Sequence, residues 1–120
     1  MRAAIMAVAA GVLVAGVASG FAAERMKPDD IKATFFTGQP FTASTPSSVK
    51  FTMVFMADGN VTRTPVGKSG AKGEGTWKLN RDGYCTTWKG SKASCFTVIP
   101  SGENKWSVMQ GTTIKASWSK

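Results

Sequence analysis

The sequence contains no histidine and only two cysteines among its 120 residues. Histidine is the side chain most often used as a general base near neutral pH, and it is also the most common metal ligand. A zinc site usually takes four ligands, so two cysteines without histidine do not supply one. The sequence therefore predicts neither a metal site nor a cofactor.

Acidic side chains are scarce as well, with 7 Asp and Glu against 15 Lys and Arg and a formal net charge of +8. Most acids stand at predicted turns or at a predicted helix start, and none form a pair on one strand face, so we expect no enzymatic activity. The excess positive charge favours anionic partners such as lipid headgroups, acidic polysaccharide, nucleic acid or acidic proteins. The alternative is that the charge only keeps the protein in solution.

The one apolar run is short. Residues 3–17 follow Arg2, and about 15 apolar residues are too few to span about 30 Å of hydrocarbon comfortably as a helix. Gly20 and Ala22 fit the −3 and −1 positions of a signal peptidase site. We predict a signal peptide over residues 1–22 and a single domain over 23–120 in the periplasm or secreted, with no integral membrane segment after cleavage; a retained anchor is the alternative.

The two cysteines, Cys85 and Cys95, are expected to form a disulfide because an exported chain meets an oxidising compartment. The alternative is that one of the cysteines is a free, reactive thiol. If residues 89–91 form a hairpin tip, Cys85 lies directly opposite Cys95, where Cβ atoms are about 4.5–5.5 Å apart or closer. Closing this short ring would stabilise the domain by about 2–3 kcal/mol.

The rest of the chain predicts a mainly β fold. A short helix is expected over about 28–36, because Pro28 suits a first helical position and Ile31 and Phe35 share one face. After it, about seven short strands at roughly 8–12-residue spacing, bounded by Gly, Asp and Asn turns, indicate an antiparallel up-and-down meander. We expect this meander to close into a small barrel; a sandwich is the alternative.

Alternation along the strands predicts which side chains point inward. In the strand at 49–57, one face is core and the far end of the other face, at Met56, is expected to be covered. In the last strand, Ile114, Ala116 and Trp118 are expected to point inward. The aromatics that either fill the core or face a ligand are Trp77, Tyr84, Trp88, Phe96 and Trp106.

A glycine- and lysine-rich loop occupies residues 67–73. It lacks the upstream glycine and the following helix of a phosphate-binding P-loop. We regard it as a mobile loop, with Lys68 and Lys72 as candidate anion-contacting residues.

The order of motifs resembles a family of small exported bacterial proteins of unknown function. The motifs are Gly-x-Trp-x-Leu (75–79), Gly-Tyr-Cys-x-x-Trp (83–88), Ser-Cys-Phe-x-Val (94–98), Trp-x-Val (106–108) and Ala-x-Trp (116–118), together with the opening 28–35. The resemblance implies no catalytic residues. The general shape is also similar to small lipocalin-like barrels and to periplasmic lysozyme-inhibitor barrels, although the chain has no inhibitor loop pattern.

Together these features predict a non-enzymatic periplasmic binding or envelope-associated protein. Its ligand would be a small apolar molecule inside the barrel or an anionic envelope component outside it. The alternative is an inhibitor or chaperone-like partner of another envelope protein. Nucleic acid is disfavoured as a partner by the compartment and by lysines that are spread over most turns.

Overall fold

The structure is a computed structural model that describes residues 24–68 and 70–120. It consists of one helix and eight strands within that part of the chain. The elements are α1 Pro28–Phe35, β1 Phe41–Ser44, β2 Lys50–Phe55, β3 Asn60–Pro65, β4 Gly73–Leu79, β5 Tyr84–Trp88, β6 Ser94–Gly102, β7 Lys105–Gln110 and β8 Thr113–Ser119.

Each strand pairs antiparallel with the next, and β8 pairs with β1 to close the barrel. The prediction of a mainly β, up-and-down barrel with one short helix is therefore confirmed, and the alternative of a sandwich is wrong. Across the described ranges, no helix is both long and apolar enough to cross a membrane. The predicted signal peptide over residues 1–22 lies outside the described residues.

Helix α1 forms where its sequence predicts it. Pro28 occupies the first turn, where its missing N–H costs no hydrogen bond, and Asp29 and Asp30 lie near the positive end of the helix dipole. Ile31 and Phe35 are buried, as their spacing predicts. The Phe36 N–H closes the helix on the Lys32 carbonyl, at 3.0 Å, and its own side chain is buried too.

The two ends of the barrel differ. The end carrying α1 and the turns at 56–59, 80–83 and 103–104 is called the closed end, because the helix lies across it. The end carrying the loops at 45–49, 66–72, 89–93 and 111–112 is called the open end. Antiparallel strands that alternate in direction place every second connection at the same end.

The core is densest at the closed end and is mainly aromatic. Phe36 stacks on Phe55 with ring centroids 4.2 Å apart, while Phe35 meets Trp118 edge-on at 4.7 Å. Aromatic pairs in such geometries contribute about 0.5–1.5 kcal/mol beyond the area they bury. The helix thus fills this end of the barrel with side chains.

The disulfide is confirmed. Cys85 and Cys95 are direct partners across β5 and β6, and their sulfur atoms are 1.98 Å apart. Tyr84 and Thr86, on either side of Cys85, point into the barrel and are buried. The disulfide therefore lies on the outer face and the aromatic side chains on the inner one, as alternation predicts.

Two of the side chains expected to be buried or covered, Ile114 and Met56, are exposed, so these predictions are wrong. Ile114 is 49% exposed, because a bulge in β8 pairs Val108 with Ala116 but the next residue, Met109, with Ile114. The extra residue is Lys115, and it turns Ile114 to the outer face. Met56 is also wrong: it is 42% exposed beyond the end of β2, because α1 lies over the barrel interior rather than over this outer position.

Candidate functional site

A cavity of about 160 Å³ enters the barrel from the open end. Its deep wall is formed by side chains that also touch the aromatic core, and its mouth by residues at the strand ends of the open end. Most of the lining is apolar. The lining side chains include Phe51, Phe55, Arg63, Tyr84, Thr86, Trp88, Phe96, Lys115 and Trp118.

The structure divides the five predicted aromatics between the two ends. Tyr84, Trp88 and Phe96 line the cavity. Trp77 and Trp106 instead pack against the helix region, with centroids 4.4 Å from Phe36 and 4.8 Å from Phe35 respectively. The Trp77 indole N–H donates a 2.7 Å hydrogen bond to the Met56 carbonyl, which fixes it in a structural role.

Arg63 is the most informative side chain at the cavity. It alternates inward with Val61 along β3 and is partly buried. Its guanidinium carbon lies 4.4 Å from the Trp88 ring centroid and 5.6 Å from that of Phe51. Its Nε is buried without a hydrogen-bond partner, and the ion pair found among the described residues joins Arg25 to Asp82 instead. Arg63 therefore holds an uncompensated positive charge against an aromatic wall.

A glycine gives this arginine its position. Gly73 is the cross-strand partner of Arg63, and a Cβ at Gly73 would lie 2.8 Å from the Arg63 Nε. Any other residue there would occupy the space of the guanidinium stem. The missing side chain thus lets Arg63 lie flat along the inner wall.

A second cation reaches the same cavity through the bulge in β8. Lys115, the extra residue, lines the cavity beside Ala116. The cavity lining contains no acidic side chain. Inside the cavity, an anion would therefore meet two positive charges and no carboxylate.

The cavity adjoins a depression of about 390 Å³ on the rim, and Arg63 and Trp88 line both. Lys72 and Lys89 contribute two further cations to the depression, and Glu74 contributes one acid. Of the two lysines predicted to contact anions, Lys72 thus lies beside Arg63. Lys68 is exposed in the same loop and lines neither space.

The polar groups deeper in the cavity are neutral. Burial raises the pKa of the Tyr84 phenol well above its ordinary value of 10.0, so this hydroxyl keeps its proton. Thr86 is buried and lines the cavity as well. Within 24–68 and 70–120, no three His, Cys, Asp or Glu side chains lie close enough to hold a metal ion.

The sequence contains a signal for Arg63 in its strand alternation, although no motif includes this residue. In Val61-Thr-Arg-Thr-Pro65, alternation places Arg63 on the inward face with Val61. A charged residue on a predicted inward face is unusual enough to mark a site. For Lys115 no such signal existed, because strict alternation places it outward and only the bulge turns it toward the cavity.

No protein-family model, no curated protein and no solved structure matches this chain. The small antiparallel barrel is of the kind that the resemblance to lipocalin-like barrels implies. The resemblance to a family of small exported proteins stays a prediction.

Proposed function

We propose that the protein is a non-enzymatic binding protein that acts outside the cytoplasm and holds a small amphipathic anion at the open end of its barrel. The apolar part of the ligand enters the cavity, and its carboxylate or phosphate contacts Arg63. The observation that carries this proposal is the buried, unpartnered Nε of Arg63 at the mouth of an acid-free cavity.

The energetics of Arg63 favour the binding of an anion. A buried donor without a partner costs about 1–3 kcal/mol, and more if it is charged. Stacking on Trp88 offsets part of this cost, because a guanidinium is attracted to an aromatic face. The planar guanidinium still has N–H groups free to form the two parallel hydrogen bonds that carboxylates and phosphates accept.

The size of the cavity limits the apolar part of the ligand. Its volume of about 160 Å³ is well below the roughly 300–1,000 Å³ of typical sites for drug-sized molecules. It is close to the roughly 150 Å³ of an engineered apolar cavity that binds benzene. We therefore expect one ring or a short acyl chain inside, with the charged group at the mouth.

The compartment is part of the proposal. The Cys85–Cys95 disulfide is compatible with a location outside the cytoplasm, where such bonds persist. The expected signal peptide, the absence of enzymatic activity and the alternative of an inhibitor or chaperone-like partner all stay predictions.

The proposal is tested by calorimetric titration with four probes: benzoate, hexanoate, benzyl alcohol and acetate. Benzyl alcohol keeps a ring without charge, and acetate keeps the charge without an apolar group. We expect benzoate or hexanoate to bind at least about tenfold more tightly than benzyl alcohol, since the loss of a hydrogen bond to a charged group costs about 1.5–3 kcal/mol. We expect a similar margin over acetate, because acetate has almost no apolar area to bury in the cavity.

The matched variants are Arg63→Met and Arg81→Met, which remove the same charge from the open and the closed end. Arg63→Met should reduce benzoate binding to the level of benzyl alcohol, and Arg81→Met should leave it unchanged. If no probe binds, or if both variants bind benzoate equally, the proposal is wrong.

A further inference from the structure

We propose that the open end docks end-on against an anionic lipid bilayer, so that the mouth of the cavity faces the membrane surface. This inference concerns the rim of the barrel and does not depend on what occupies the cavity. It rests on two independent features of the open end, its charge and its exposed aliphatic side chains.

The charge of the barrel is distributed unevenly, and the acids cause the difference. Each end carries seven Lys or Arg side chains of the described residues. The open end carries one acid, Glu74, whereas the closed end carries six. The open-end cations are Lys50, Arg63, Lys68, Lys72, Lys89, Lys92 and Lys115. The formal charge is therefore +6 at the open end and +1 at the closed end.

These lysines lie around the rim rather than on one side of it. Lys50 begins β2, Lys72 ends the loop before β4, and Lys89 and Lys92 lie in the loop between β5 and β6. All four side chains are exposed. A ring of positive charge that surrounds an opening matches a flat anionic surface better than it matches a linear polymer.

The rim also exposes two large aliphatic side chains. Val66, just after β3, is 61% exposed, and Ile114 in β8 is 49% exposed because the bulge turns it outward. In the closed barrel three strand steps separate β3 from β8, so the two residues flank the mouth on different sides.

Exposed aliphatic residues distinguish a bilayer from an acidic polysaccharide. An apolar side chain gains free energy in proportion to the area it removes from water, about 25 cal/mol per Å². A bilayer interface offers that apolar environment beside its anionic headgroups, whereas a hydrated polysaccharide offers only the charge. The combination of lysine ring and aliphatic residues therefore favours a lipid surface.

The test measures binding to vesicles of phosphatidylcholine alone and of phosphatidylcholine with 30% phosphatidylglycerol. The protein is the mature form, identified by intact mass, from cells that express the full chain. The open-end variant replaces Lys50, Lys72, Lys89 and Lys92 with Gln, and the matched control replaces Lys27, Lys32, Lys78 and Lys105 with Gln. Both variants lose four positive charges from exposed positions.

We expect the protein to bind the vesicles that contain phosphatidylglycerol and not those of phosphatidylcholine alone, and we expect high salt to weaken this binding. Each lysine near such a surface contributes about a factor of five, so the open-end variant should bind at least about 50-fold more weakly. The control should lose less than about fivefold. Replacing Val66 and Ile114 with Ser should weaken binding further, whereas Met56→Ser should not.

Three results would overturn the inference: equal loss in the two lysine variants, binding that salt does not weaken, or binding to alginate without binding to anionic vesicles. The benzoate titration on the same preparation tests the ligand proposal separately. Arg63→Met should reduce benzoate binding to the level of benzyl alcohol, but it removes only one of the seven positive charges at the open end and so leaves most of the attraction to vesicles.

Discussion

The closed and open ends of the barrel are made by the same eight strands but have opposite characters. At the closed end, α1 places Ile31, Phe35 and Phe36 among the strand aromatics, each no more than 2% exposed. At the open end, Phe51 and Trp88 are only partly buried, and Arg63 lies against them without a carboxylate partner. The difference teaches that one short helix decides which end contributes stability and which end is available for a ligand.

The largest expected effect comes from shortening a buried aromatic side chain at the closed end. Phe36→Ala should lower the free energy of unfolding by about 3–5 kcal/mol, because it removes a fully buried ring and leaves a cavity. Phe51→Ala at the open end should cost less than about 2 kcal/mol, because that ring is already partly exposed beside a cavity. Urea denaturation followed by tryptophan fluorescence measures both. Equal losses would mean that the two ends do not differ in packing.

The second prediction tests how far water reaches into the barrel from the open end. Because burial raises the pKa of Tyr84 in the folded state, the unfolded chain loses this proton first as pH rises past about 10. Unfolding is then favoured, and stability should fall by about 1.4 kcal/mol per pH unit above that pH.

Tyr84 is the single tyrosine, so the absorbance of the ionised phenol reports it directly. We expect no ionisation before unfolding, and we expect Tyr84→Phe to remove this contribution to the pH dependence. Ionisation near pH 10 in the folded protein would show that water from the open end reaches this ring.

The smallest expected effect on stability is that of Gly73→Ala, and a glycine at the closed end, Gly83, provides the comparison. Gly73→Ala at the open end meets the flexible Arg63 side chain, which can move, so stability should change by less than about 1 kcal/mol while benzoate binding weakens. Gly83→Ala at the closed end would drive its Cβ into the backbone carbonyl oxygen of Phe96 and should cost at least about 2 kcal/mol. Thermal unfolding and calorimetry measure the two effects. A large loss of stability for Gly73→Ala would contradict a loosely packed open end.

Much of the fold could be predicted because it depends on local patterns. The helix follows from Pro28, the two acids after it and the i, i+4 pair of Ile31 and Phe35. The partnership of Cys85 with Cys95 follows from counting outward from one hairpin tip. In each case a few neighbouring residues contain the information.

The errors and omissions concern features that depend on the whole barrel. The outward turn of Ile114 and the inward position of Lys115 depend on a bulge that Val108, Met109 and their partners set between two strands. The position of Arg63 beside an open cavity depends on the helix filling the opposite end of the barrel. Sequence alternation could place Arg63 inward, but it could not tell that the space beside it stays open.

The cystine between β5 and β6 has a consequence for how the chain reaches its native alignment. A disulfide needs Cβ atoms about 3.5–4.5 Å apart, so sliding β6 by a single residue against β5 would take Cys95 out of reach of Cys85. That same slide would exchange the inner and outer faces of β6 and send Phe96 into water. An oxidised chain is therefore held to the one alignment of β6 on β5 that keeps Phe96 on the inner face.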